Sequence, residues 1–217
     1  MVDREVRIDA GSGLWLPGDL TLPGDAAGIV LFAHGSGSSR LSPRNISVAA
    51  VLNDAGLSTL LFDLLTPEEA DDRTKVFDVE LLAERLLVAT EWVRRQSSVA
   101  PLPLGYFGAS TGAAAALLAA ADLGDGVAAV VSRGGRPDLA EPRLREVVAA
   151  TLLIVGGRDP QVLELNRQAA GFLRCPHELV VVPGATHLFE EAGALERVAL
   201  LARDWFRDHL VRRRPGD

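Results

Sequence analysis

The stretch YFGASTGAAAALLAA, from Tyr106 to Ala120, joins an apolar run to an alanine-rich segment through one serine between two glycines. The apolar run that ends at Phe107 is typical of a buried strand, and the alanines that follow are typical of a helix. Glycine tolerates the backbone angles of a tight reversal, so Gly-Ala-Ser-Thr-Gly could be an ordinary turn. The same pattern also occurs where a strained turn between a strand and a helix presents a serine as a nucleophile. The sequence context of Ser110 distinguishes an ordinary turn residue from a nucleophile.

Short apolar runs alternate along the chain with longer segments of helical period. The predicted strands are EVRIDA, LWLPGDLTLP, GIVLFAH, STLLFDLL, LPLGYFG, VAAVVS, TLLIVGG and ELVVVPG. The last predicted helix places an apolar stripe at steps of three and four through Leu195, Val198, Ala202, Trp205 and His209. Because strands and helices alternate, we expect a mostly parallel sheet covered by helices on both faces. The first two runs, with turn signals between them, are expected to form an antiparallel edge, and residues 1–217 are expected to form one α/β domain.

Composition excludes several classes of protein. Hydrophobic residues make up 48% of the chain and charged residues 24%, as in ordinary globular proteins. The formal net charge is −7 and the one basic cluster is Arg212 to Arg214, so we expect no nucleic-acid partner. No apolar run is long enough to span a bilayer and the start lacks a signal-peptide core, so we expect no membrane association. A single cysteine, Cys175, fits a reducing cytoplasm, and nothing in the sequence indicates an oligomeric state.

Polar residues follow three of the predicted strands. GIVLFAH runs into HGSGSSR, TLLIVGG runs into RDP, and VVVPG runs into ATHLF. Because ligands bind at the carboxyl ends of the strands in an open α/β sheet, Asp159 and His187 are expected to lie near Ser110. Their order along the chain, serine then aspartate then histidine, is similar to the nucleophile, acid and base of the α/β-hydrolases.

These three residue types fit nucleophilic catalysis. A serine hydroxyl is a weak nucleophile at neutral pH and needs a base, which we assign to His187. Asp159 would orient the imidazole and stabilise its protonated form, although Asp63 and Asp138 are competing candidates for that role.

Two backbone N–H groups are expected to stabilise the oxyanion that forms on the attacked carbonyl. One is that of Thr111, directly after the serine and at the positive end of the alanine-rich helix. The other is expected in the HGSGSS loop, at Ser36, with Gly37 as the less favoured donor or as a substrate contact. Gly108 and Gly112 would leave room for the strained serine and allow the helix to pack closely on the sheet.

The motifs HGSGSSR, FGASTG, GGRDP and GATHLF, in this order on this strand pattern, resemble the dienelactone hydrolase-like family of the α/β-hydrolases from about Gly28 to Phe206. The resemblance implies an α/β-hydrolase fold that works without a metal or an organic cofactor. Dienelactone hydrolase itself uses a cysteine nucleophile, whereas this chain has Ser110. The expectation is therefore a serine carboxylesterase that acts on a small ester or lactone. An amide or thioester hydrolase with the same triad, and a silent binding domain of this fold, remain as alternatives.

The segment SRGGRPDL, Ser132 to Leu139, carries two arginines at a strand end. We favour an ion pair of Arg133 or Arg136 with Asp138 or another surface carboxylate. Alternatively, at least one of the two holds a carboxylate or phosphate group of an anionic substrate. Only about fifteen residues separate VAAVVS from TLLIVGG, too few for a lid domain, which predicts a shallow site for small, short-acyl esters or lactones. A structural role is expected for His34, which would orient the glycine-rich loop through hydrogen bonds.

Overall fold

A computed structural model of the protein describes residues 1–141 and 143–210. The strands are β1 (Val2–Asp9), β2 (Trp15–Leu22), β3 (Gly28–Ala33), β4 (Leu57–Phe62), β5 (Leu104–Ala109), β6 (Ala129–Arg133), β7 (Ala150–Gly156) and β8 (His177–Val182). The α-helices are α1 (Pro43–Asp54), α2 (Pro67–Ala70), α3 (Arg73–Val76), α4 (Val79–Arg94), α5 (Thr111–Leu123), α6 (Pro160–Ala170) and α7 (Ala194–Leu210). All eight predicted strands are present, and the basic cluster Arg212 to Arg214 lies outside the described residues.

The strands form a single sheet in the order β1-β2-β4-β3-β5-β6-β7-β8. The pairs β1–β2 and β2–β4 are antiparallel and all other neighbours are parallel, which confirms the predicted mostly parallel sheet with an antiparallel N-terminal edge. Strand β5 lies near the centre, between β3 and β6. The carboxyl ends of the six parallel strands therefore meet at one edge of the sheet.

The hydrophobic core has two layers, one on each face of the sheet. Successive residues of a strand point to opposite faces, so Tyr106 of β5 packs on the side of α4 and α5 while Phe107 packs on the side of α1 and α7. Local sequence explains where the helices begin: Ser42 caps α1 and Pro43 occupies its first turn, and Asp78 caps α4.

The predicted apolar stripe of α7 leaves out the two most buried residues of its C-terminal end, although Trp205 packs against the core as expected. Phe206 and Leu210 are fully buried, whereas Trp205 and His209 are only partly buried. The reason is close packing on glycines of the sheet: a Cβ atom at Gly105 would lie 2.7 Å from the Phe206 ring. Steps of three and four from Val198 and Ala202 fit either face, so periodicity alone did not separate them.

The connection between β6 and β7 contains no inserted domain among its described residues. It holds two short 3-10 segments, Pro137–Ala140 and Arg143–Glu146. This confirms the expectation of a fold without a lid at that position. Across the described ranges, no helix combines the length and the apolar character needed to cross a membrane.

Candidate active site

Ser110 occupies a strained turn between the end of β5 and the start of α5. Its backbone angles are φ 51° and ψ −121°, a region that L-residues rarely adopt. The end of β6 and the connection after it hold this conformation: the Ser110 N–H donates to the Arg133 carbonyl at 3.3 Å, and the Ser110 carbonyl accepts from Arg136 N at 3.1 Å. Such strain persists only where the surrounding structure enforces it, and it is common at active sites.

The two glycines of the motif allow close packing around Ser110, as predicted. A Cβ atom at Gly108 would collide with the backbone of Ala113 in α5, and one at Gly112 would collide with the carbonyl oxygens of Ala33 and His34. The first turn of α5 is therefore pressed against the ends of both β5 and β3.

Asp159 and His187 form a hydrogen-bonded pair. The distance from His187 Nδ1 to Asp159 Oδ2 is 2.7 Å. With the carboxylate as acceptor, Nδ1 carries the proton and Nε2 is left as a base. The competing carboxylates are engaged elsewhere, since Asp63 accepts from Arg40 and Asp138 accepts from Arg136.

Backbone hydrogen bonds between the loops after β7 and β8 hold this pair in place. Gly157 N donates to the Val182 carbonyl at 2.9 Å, and Arg158 N donates to the Ala185 carbonyl at 2.8 Å. Next to His187, the N–H of Thr186 donates to the Glu191 carboxylate at 3.0 Å. Hydrogen bonds from the backbone and the side chain of Thr186 lower the pKa of Glu191 below its ordinary value. Sequence reasoning missed Glu191, because nothing in the motif GATHLF indicates that a carboxylate five residues after Thr186 accepts a hydrogen bond from it.

Ser110 and His187 both lie close to the segment at Gly134. Ser110 is bonded to the residue before this glycine, and a Cβ atom at Gly134 would lie 3.6 Å from His187 Cε1. The Ser110 hydroxyl itself makes no hydrogen bond to any described residue. The acid is therefore hydrogen-bonded to the base, and the serine lies nearby without a hydrogen bond to the histidine. Such contacts are often long or absent without substrate.

The two predicted oxyanion donors differ in their present partners. Thr111 N belongs to the first residue of α5 and has no acceptor within the helix. The Ser36 N–H already donates to Thr111 Oγ1 at 3.0 Å. Gly37 is exposed and has a φ of +68°, a conformation suited to glycine. The side chain of Thr111, for which the sequence indicated no role, is therefore a direct neighbour of the HGSGSS loop, residues 34–39, which is termed the oxyanion loop after its predicted role.

His34 anchors the oxyanion loop to the sheet, as expected. Its Nε2 accepts from the Leu64 N–H at 3.0 Å, so Nδ1 carries the proton and donates to the Gly35 carbonyl at 3.0 Å. Burial lowers the pKa of His34, which favours this neutral form. The far end of the loop is also tied down, because Arg40 N donates to Asp63 at 2.7 Å.

A cavity of about 570 Å³ lies beside the oxyanion loop. It is lined by the loop after β3, by the first residues of α1 and by apolar side chains such as Leu65 and Val76. The cavity reaches Ser36 and Gly37, whereas Ser110 and His187 lie outside its lining. No sequence motif distinguished Leu65 or Val76 from other core residues.

The two arginines after β6 have different environments. Arg136 donates from Nε and Nη2 to the two carboxylate oxygens of Asp138 at 2.8 and 2.7 Å, which is the ion pair favoured from the sequence. Arg133 has no carboxylate partner within the described part of the chain. Over the same residues, no group of three or more His, Cys, Asp or Glu side chains is placed to hold a metal ion.

Comparison with known proteins identifies relatives over nearly the whole chain. No protein-family model matches the chain. The crystal structure of a dienelactone hydrolase from Anabaena variabilis superposes with a TM-score of 0.93 at 54% identity, over 96% of this chain and 98% of that one. The esterase domain of a Rhodothermus marinus protein superposes with a TM-score of 0.78 over 97% of this chain and all of that one, and at 20% identity it supports the fold alone.

A curated relative from Mycobacterium tuberculosis is much longer than this chain. It is named "Putative phosphoribosyl transferase" and is 62% identical over 208 residues, which are 96% of this chain and 47% of that protein. The chain therefore spans about half the length of the curated relative that it matches.

Proposed function

Because the chain belongs to the dienelactone hydrolase-like family of the α/β-hydrolases, we propose that it is a serine hydrolase that cleaves small carboxylic esters or lactones. One observation carries the proposal: the strained Ser110 lies at the same sheet edge as a base that is already bonded to a carboxylate. This arrangement matches the roles of nucleophile, base and orienting acid in acyl transfer.

The proposed reaction passes through an acyl-serine. His187 Nε2 takes the hydroxyl proton as Ser110 Oγ attacks the carbonyl carbon, and Asp159 stabilises the imidazolium that forms. The resulting oxyanion accepts hydrogen bonds from the backbone N–H groups of Thr111 and Ser36. Collapse expels the alcohol, which takes the proton from His187. Water then attacks the acyl-serine, His187 accepts its proton and returns it to Ser110 Oγ, and the carboxylic acid leaves.

The size of the substrate follows from the surroundings of this site. The connection between β6 and β7 supplies no lid over its described residues, and the adjoining cavity of about 570 Å³ fits a small molecule. The similar Anabaena variabilis protein is a dienelactone hydrolase by name, which is consistent with a lactone or a compact ester.

We attribute hydrolysis, and not phosphoribosyl transfer, to this chain. The transferase name belongs to a protein of which the chain matches 47%, whereas the dienelactone hydrolase structure is matched over 98% of its length. Consumption of phosphoribosyl pyrophosphate by the purified chain would contradict this attribution.

A fluorophosphonate probe tests the proposed nucleophile. We expect it to label the parent protein and the Ser98→Ala control, whose serine is exposed and precedes β5 on the opposite edge, but not Ser110→Ala. A panel of 4-nitrophenyl esters, lactones, thioesters and amides should then show ester or lactone turnover that falls by at least about 10³-fold in Ser110→Ala. Absence of labelling in every variant, or labelling that survives in Ser110→Ala, would overturn the proposal.

A further inference from the structure

Asn166 is a buried polar residue on the helix that begins at the proposed acid. Asp159 is the N-cap of α6, and Asn166 lies about two turns further along this helix, where it is fully buried. Its Nδ2 donates to the Gly135 carbonyl at 2.9 Å and to the Val162 carbonyl, one turn earlier in α6, at 2.8 Å. Both partners are carbonyl oxygens, so only the NH₂ group of the amide can make these two bonds.

An apolar residue would suit this position of α6 better. The other buried residues of the helix are Val162 and Ala169, and asparagine has a weaker helix propensity than alanine or leucine. The Oδ1 atom of Asn166 is also buried with no hydrogen-bond partner among the described residues, which is unfavourable. What the amide contributes in return is the hydrogen bond that leaves the helix, to Gly135.

Gly135 is the middle residue of the 134–136 segment, which follows β6 and packs against the turn that carries Ser110. A Cβ atom at Gly135 would lie only 2.6 Å from the Cβ atom of Ala113, in the first turn of α5. The next residue, Arg136, donates its N–H to the Ser110 carbonyl at 3.1 Å. The segment therefore lies against the start of α5, and Asn166 holds it from the side of α6.

The same segment also contacts the proposed base. Its first residue, Gly134, donates its N–H to the Ile154 carbonyl of β7 at 2.8 Å. A Cβ atom at Gly134 would lie 3.2 Å from the His187 carbonyl oxygen. The 134–136 segment thus adjoins the base through its first residue and the nucleophile through its last, while Asn166 anchors the residue between them.

We propose that Asn166 is a positioning residue for the proposed hydrolysis: by holding the Gly135 carbonyl it fixes the 134–136 segment, and through that segment the position of Ser110 relative to the Asp159–His187 pair. Such geometry is sensitive, since a displacement of about 1 Å can lower a rate about 10²-fold. The expected loss of turnover rests on the proposed function, whereas the anchoring of the segment does not.

Two substitutions separate the bond within α6 from the bond to Gly135. Asn166→Ala removes both. Asn166→Ser removes the bond to Gly135, but its hydroxyl is able to return to the carbonyl four residues earlier in the helix. If Asn166→Ala fails to fold, Asn166→Ser carries the test.

Asn53→Ala is the matched control for both substitutions. Asn53 is likewise buried in a helix, and its Oδ1 accepts from the Thr59 hydroxyl of β4 at 3.0 Å. It lies in the last turn of α1, on the opposite face of the sheet from α5. We therefore expect Asn53→Ala to lower the melting temperature without displacing the 134–136 segment.

Amide hydrogen exchange measures the anchoring directly. The N–H groups of Ser110 and Arg136 bond across the contact between the two segments, and Phe107 in the central strand β5 provides the reference for overall stability. Relative to Phe107, we expect the protection factors of both amides to fall at least about tenfold in the Asn166 variants and to stay unchanged in Asn53→Ala. Unchanged ratios in Asn166→Ser, or an equal fall in Asn53→Ala, would overturn the positioning role.

Turnover of 4-nitrophenyl acetate tests the consequence for the reaction. We expect kcat per fluorophosphonate-labelled serine, measured well below the melting temperature, to fall at least about tenfold in both Asn166 variants, with KM within about twofold of the parent value. In Asn53→Ala both constants should stay within about twofold of the parent values, because a general loss of stability lowers the fraction of active protein but not kcat per active serine. An unchanged kcat in folded Asn166→Ser contradicts the positioning role alone. Absence of turnover in the parent contradicts the proposed function alone, and the exchange ratios then still test the anchoring.

Discussion

On the loops that follow β7 and β8, His187 already shares a hydrogen bond of 2.7 Å with Asp159. On the loop that follows β3, the Ser36 N–H donates at 3.0 Å to the hydroxyl of Thr111. Both regions lie at the same edge of the sheet. The first has its proposed catalytic contact in place, whereas the second has its proposed donor occupied by a side chain of the protein.

The difference indicates that the acid–base pair is preorganised, whereas the donor at Ser36 must change its hydrogen bonding when a substrate binds. Backbone hydrogen bonds join the loops after β7 and β8 to each other, so the base and its acid are held without a substrate. The loop after β3 is anchored by His34, but its tip at Ser36 and Gly37 is exposed. We therefore expect the oxyanion to share the Ser36 N–H with the Thr111 hydroxyl, which keeps this donor aligned, and the acid–base pair to remain as it is.

The largest effect is expected from Asp159→Asn. The substitution keeps the shape of the side chain but removes the charge that orients and stabilises the His187 ring. We expect kcat for a neutral 4-nitrophenyl ester to fall about 10⁴-fold, with an unchanged melting temperature.

Asp138→Asn is the control for this loss, because it removes the same charge from a pair at the surface near the site. Its effect on kcat should stay within about twofold. Should Asp159→Asn keep more than a tenth of the parent activity, the acid would have to lie elsewhere, and the loops after β7 and β8 would no longer be the preorganised side.

A smaller effect is expected from Thr111→Val. Valine keeps the branched shape at the start of α5 but removes the acceptor that holds the Ser36 N–H. We expect kcat to fall about tenfold with little change in KM, since the oxyanion donor loses its alignment. Thr111→Ser should retain most of the activity. A faster Thr111→Val enzyme would show instead that the hydroxyl competes with the oxyanion for this donor.

Much of the fold and of the candidate site follows from local sequence. The near-continuous apolar runs identified the eight strands, and the absence of a helix between the first two identified the antiparallel edge. Because parallel strands end at one edge, the residues that follow them could be grouped from the sequence alone. That reasoning placed Asp159 beside His187, and the roles of both remain predictions until the variants are measured.

The remaining features depend on contacts between distant segments. The deeper burial of Phe206 relative to Trp205 depends on the glycine at position 105, about a hundred residues away. The hydrogen bond from Ser36 to Thr111 likewise joins residues far apart in the chain. Sequence pattern identified Arg133 and Arg136 as equivalent candidates, and only the packing distinguishes the paired arginine from the unpaired one.

The smallest effect is expected from Glu191→Gln, which weakens the bond from Thr186 N next to His187. An amide oxygen still accepts this hydrogen bond, but without the charge, so kcat/KM for the neutral ester should fall by about two- to threefold. Glu196→Gln removes an equal charge from the exposed first turn of α7 and serves as the control, with no expected effect on turnover.

The pH dependence of amide protection in the loop after β8 distinguishes the hydrogen bond of Glu191 from a general effect of its charge. Its hydrogen bonds lower the pKa of Glu191 below the ordinary value of 4.5, so its contribution is complete above pH 4.5 and is lost as the pH falls toward the lower value. The protection factor of the Thr186 amide against hydrogen exchange should therefore fall below pH 4.5 in the parent, whereas Glu191→Gln should have a lower protection factor at every pH without this step. An identical acid-induced step in both proteins would show that the loop after β8 is held by other groups, and the contrast with the loop after β3 would then rest on the Asp159–His187 bond alone.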